Sequence, residues 1–151
     1  MMSEPRRTVP DVSFHPWRAL RALTHIDQVW RDLGDDQLGH YDHRCHRVTL
    51  NTGLTQVERR CTLTHELVHA ERGPVAASHR EREEVIVEGL AARRLIPLDA
   101  LVDAMLWSLD ESELADELWV DVPTVTARLA GLTDAERAHV AAELDRREAS
   151  I

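Results

Sequence analysis

The sequence predicts an α+β fold, mostly helical with one small β-sheet, and three observations carry that expectation. Apolar residues recur at steps of three and four over 16–33 and again over 55–72, the spacing of one helical face. Between Leu38 and Asn51 the pattern shortens to strand-length runs. The chain has 151 residues, enough to bury one core but not two independent ones.

Residues 1–15 carry Pro5 and Pro10 with little periodicity and are expected to form a flexible N-terminal arm. Their arginines are followed by no apolar run, so no secretory signal is expected and a cytoplasmic location is. The folded core is expected over 16–109, with a C-terminal helical segment over 110–151 packed on it. From Pro16, the positions Trp17, Leu20, Leu23, Ile26, Val29, Trp30 and Leu33 predict one helix closed by Gly34. Tyr41 and the run Arg47, Val48, Thr49, Leu50 predict two short strands around His43 to His46.

Thr55 followed three residues later by Glu58 has the pattern of a capping box. Val57, Cys61, Thr64 and Val68 continue at helical spacing to Arg72, and Gly73-Pro74 stops that helix. A helix from Ser78 to Leu95 must end before Pro97, since proline disfavours helix in the residue before it. Another starts near Leu98, and breaks at Asp110, Pro123 and Thr133 divide the remainder into further helices.

Composition narrows the chemistry. All 18 basic residues are arginine, so Schiff-base and phosphate-loop lysine chemistry is excluded. A formal net charge of -9 opposes broad attraction to nucleic acid. No segment approaches the roughly 20 apolar residues of a membrane span. Cys45 and Cys61 are too few for a disulfide framework and are expected as small buried or half-buried residues.

The helix over 55–72 carries the segment HELVH, residues 65–69. Four residues apart on a helix, His65 and His69 stand one turn above each other and can share one Zn2+. A catalytic zinc takes three protein ligands and keeps a position for water, which Glu66 could reach as general base. A short motif of this kind also arises by chance on helices that merely hold two histidines; here it sits in a helix with its own cap and stop. The third ligand is open: Glu81, Glu84 and Glu88 share one face of the next helix, which could equally be a solvated surface, and His79 stands at that helix's start. The metzincin extension fails, since Arg72 and Val75 occupy the positions of its glycine and histidine.

The stretch TLTHELVHAERG, followed by EVIVEGLAARRLIP, resembles the ImmA/IrrE family of metallopeptidases over about residues 38 to 132. The second block is similar to the family's E-x-x-A-x-x-F-A-A-x-L-L-M-P, departing at Val87, Leu90 and Arg94. The resemblance implies a zincin-like fold, a zinc endopeptidase, Glu84 as the third ligand and Glu88 as a partner that hydrogen-bonds a zinc histidine. It also implies that the strand Arg47, Val48, Thr49, Leu50 is an edge on which an extended peptide substrate aligns. The implied substrate is a DNA-binding repressor of a phage or stress regulon, cut at one site.

LADELWVDVPTVTARL resembles a helix-turn-helix, which makes a DNA-binding regulator the main rival reading. Trp119 replaces the turn's usual glycine, and six acids face one arginine from Asp110 to Arg128, a surface that repels phosphate. The segment is therefore expected as a packing unit or a protein-docking surface. A third reading is a metal-binding antirepressor that acts without cleavage.

Overall fold

Caps and proline stops set most helix boundaries in the computed structural model, which describes residues 14–150. Residues 1–13, most of the expected arm, lie outside the described residues. In chain order the elements are α1 (Pro16–Ala22), β1 (Asp27–Arg31), β2 (Gly39–Asp42), β3 (Arg47–Asn51), α2 (Gln56–Arg72), α3 (Arg80–Leu95), α4 (Leu98–Met105), α5 (Glu111–Leu118), α6 (Val122–Ala130) and α7 (Asp134–Glu148). A single 3-10 turn over Ala77–His79 leads into α3.

The Thr55 capping box forms as expected, with Thr55 Oγ1 accepting from the Glu58 amide and Glu58 accepting from the Thr55 amide. The same device at Thr133 and Glu136 opens α7. Asp110 caps α5 and Asp121 caps α6 through their carboxylates. Pro123 therefore lies inside the first turn of α6, where its missing amide costs nothing, instead of marking a break.

The helix expected over 16–33 is corrected. α1 ends after Ala22, and Ile26 through Arg31 turn into β1, which pairs in parallel with β3 from Asp27↔Arg47 to Arg31↔Asn51. All of β3 from Val48 to Asn51 is buried, so its amides and carbonyls on the side away from β2 need partners, and β1 supplies them. That demand comes from residues about twenty positions away and is invisible to local periodicity. Gly34, expected to close the helix, instead turns the following loop at φ 78°.

The sheet order is β1-β3-β2, with β2 antiparallel to β3. This corrects the expectation for Arg47, Val48, Thr49 and Leu50. They form the central strand, both of whose edges are occupied, so no peptide can pair with them. Val48 and Leu50 instead pack with Ile26, Leu63 and Leu67 in the core between sheet and α2.

A second core joins Cys61 of α2, Leu95 of α3 and Ile96 just after it, Leu101 of α4, Leu114 of α5 and Val125 of α6. Residues on both sides of position 110 therefore share one apolar interior. Cys61 is buried there, whereas Cys45 is exposed in the β2–β3 turn, and both are free thiols. No helix among the described residues is long and apolar enough to cross a membrane.

Candidate metal centre

His65 and His69 project from the middle and end of α2, and Glu84 from α3 packed beside it. Glu84 Oε2 lies 3.0 Å from His65 Nε2, and Oε1 lies 2.7 Å from His69 Nε2. One ligand atom from each of the three residues falls within 4.8 Å of the others, and no other such cluster occurs among the described residues. Two imidazole nitrogens and one carboxylate oxygen are the donor set of a catalytic zinc. Tetrahedral ligands at about 2.0 Å from an ion stand about 3.3 Å apart, so the carboxylate need retreat only slightly to admit one.

Of the other candidates, Glu81 and His79 are exposed and outside the cluster. Glu88, one turn after Glu84, lines the same cleft. Burial of the His65 ring holds its pKa below the ordinary value, against the opposing pull of the Glu84 carboxylate and, more weakly, of Glu88.

Glu66 is only 6% exposed and lines the cleft. Burial first, and the Glu84 carboxylate second, push its pKa up to about 8 in the metal-free chain. A divalent cation at the three-residue cluster would oppose both influences by favouring the ionised form.

Three structural supports of this centre escape a reading of the sequence. Arg72 at the end of α2 pairs with buried Glu83 of α3, Nε and Nη2 donating to its two oxygens. The loop over 32–38, which brings Asp36 and Leu38 to the cleft, is tied down by buried Asn51, whose Nδ2 donates to Gly34 O at 2.6 Å and Gln37 O at 2.8 Å. Gly39 lets β2 lie against α2: a Cβ there would stand 2.9 Å from Thr62 Cγ2 and 2.7 Å from Thr49 O. Nearness to the HELVH helix could have flagged Arg72; nothing local flags Asn51 or Gly39.

The far wall of the cleft comes from the segment read as a helix-turn-helix. Trp119 takes the left-handed conformation at φ 60°, where glycine is usual, and its carbonyl accepts from Arg60 Nη1 at 2.8 Å. α6 packs on α3 and contributes Pro123, Thr124 and Ala127 to the cleft. Arg128, the one arginine of the segment, is 3% exposed and donates from Nε to Ile96 O at 2.8 Å.

A family model described as Peptidase_M78, IrrE N-terminal-like domain, matches residues 31–130. Curated proteins and solved structures yield no match. The matched span takes in β2, β3, α2 to α6 and every residue of the candidate centre.

Proposed function

The chain belongs to the Peptidase_M78 family, and from that premise we propose that it is a zinc-dependent endopeptidase of zincin-like fold that cuts a transcriptional repressor at one exposed site. The observation that carries the reading is the convergence of His65, His69 and Glu84 on one point, with the buried carboxyl of Glu66 lining the same cleft. His65, His69 and Glu84 would hold the ion. When bound, zinc polarises a scissile carbonyl and brings the pKa of water down to about 7.

Glu66 then serves as the proton carrier of the chain itself, taking a proton from the attacking water and delivering it to the leaving amine. Its position suits this role, because it lines the cleft beside the three ligands and an ion held there would favour its ionised, proton-accepting form. Glu88 would orient a histidine of the centre or face substrate. With β3 central, the sheet edge beside the centre among the described residues is β2, whose Gly39 lines the cleft. An extended substrate backbone would pair there.

Selectivity would come from docking, through the acidic C-terminal helices meeting a basic DNA-binding protein. The test is incubation of the zinc-loaded protein with a repressor encoded near its own gene and with unfolded casein, at low and high salt. One discrete, chelator-sensitive cut in the repressor that fades at high salt is the expected result. Efficient casein digestion would remove the single-site reading, and a repressor bound but left intact would make the protein an antirepressor.

A further inference from the structure

The cleft, of about 470 Å³, does not stop at the candidate metal centre. It continues past His65 along α2 to Cys61 and Thr62 and on to the first turn of α6, a region the hydrolytic step does not use. Ala91, Ala92 and Leu95 of α3 and Ala127 of α6 make its lining apolar. Asp36, Glu88 and Asp121 add carboxylates, while no arginine among the described residues lines it.

One detail marks this arm as built to receive a cationic group. Asp121 is fixed in place: its amide donates to Cys61 Sγ at 3.4 Å, and its Oδ1 accepts from the Thr124 amide at 3.0 Å and from the Thr124 hydroxyl at 2.5 Å. Both bonds fall on Oδ1, which leaves Oδ2 to a ligand.

Resting on the peptidase reading, we infer that this arm is a specificity pocket for an arginine or lysine side chain of the substrate, next to the scissile bond. The apolar lining matches a long aliphatic stem, and the carboxylates match a cationic head. A leucine side chain would desolvate those carboxylates with nothing to pair them, and a glutamate would meet like charge.

The test separates binding from cleavage. Fluorescently labelled peptides Ala-Ala-Ala-X-Ala-Ala-Ala, with X as arginine, the isosteric neutral citrulline, or leucine, are titrated by anisotropy into zinc-loaded Glu66→Gln protein. The arginine peptide should bind at least about tenfold more tightly than the citrulline peptide, as expected of a charge-assisted contact. That margin should vanish in a further Asp36→Asn, Asp121→Asn variant. Asparagine still caps a helix, so α6 remains in place, and circular dichroism checks this. Equal affinity for arginine and citrulline, absence of binding by either, or a margin that survives the double substitution would overturn the pocket. Hydrolysis by the unsubstituted enzyme is scored separately, so a protein that selects arginine yet cuts nothing would retain the pocket and lose the peptidase reading.

Discussion

Arg72, the last residue of α2, and Glu83, in the first turn of α3, join the two helices through a fork of two hydrogen bonds beside the metal cluster. The Arg72 guanidinium holds Glu83 below the usual carboxylate range. Because Glu83 immediately precedes Glu84, this clamp would help to position the proposed third ligand. Glu83→Gln should lower the melting temperature and weaken zinc affinity about tenfold, the lower end of what supporting partners contribute. Arg72→Lys should weaken zinc affinity likewise, since an ammonium cannot reproduce the fork. Zinc titration of both variants checks this, and unchanged affinity would leave the pair without a part in positioning Glu84.

Glu66→Gln should keep its zinc while hydrolysis falls by about 10²–10⁴-fold, the range of general acid–base catalysis. Metal analysis run beside a cleavage assay decides it. Loss of zinc would recast Glu66 as a ligand.

Among the candidate acids Glu81, Glu84 and Glu88 of α3, only Glu84 reaches both histidines. Zinc binding should collapse in Glu84→Ala, weaken by about 10–100-fold in Glu88→Ala if Glu88 orients a histidine, and stay intact in Glu81→Ala. A normal site in Glu84→Ala together with a zinc-free Glu88→Ala protein would overturn the assignment.

Arg128 bonds the carbonyl of Ile96 and reaches Glu136 at 3.5 Å from within the core. Arg128→Ala should therefore destabilise the fold in denaturant titrations by about 1–3 kcal/mol, the cost of leaving the buried Ile96 carbonyl without its donor. Mobility-shift assays on the unsubstituted protein should show no specific DNA complex at moderate salt. A sequence-specific shift that Arg128→Ala abolishes without unfolding the chain would restore the DNA-binding reading.

Glu136 in α7 is held at about 2, chiefly by the Arg93 hydrogen bond and then by the Thr133 amide. A carboxylate whose folded pKa is depressed contributes stability above its ordinary value of 4.5, and that contribution is lost as pH falls toward about 2. Denaturant midpoints should thus hold steady above pH 4.5 and drop below it. Arg93→Gln should start from lower stability and show a smaller drop; an identical acid profile in the two proteins would remove Glu136 as the cause.

Local chemistry was legible in the sequence. Thr55 and Glu58 announce the start of α2 because a capping box satisfies backbone groups within four residues. Gly73 and Pro97 announce helix ends for similarly local reasons. The pairing of His65 with His69 follows from helical geometry alone. What tertiary structure decided depends on atoms brought together from afar. β3 became the central strand only because Asp27–Arg31, which local spacing predicts as helix, pairs with it along its whole length. Glu84 was separated from Glu81 and Glu88 by how α3 packs on α2, with the Arg72–Glu83 fork beside it. α6 became a wall of the cleft because its apolar face meets α3, a contact that a helix-turn-helix pattern does not encode. Capping and helical spacing act within a turn or two of chain, whereas strand partners and packing registers are chosen by burial across the whole fold.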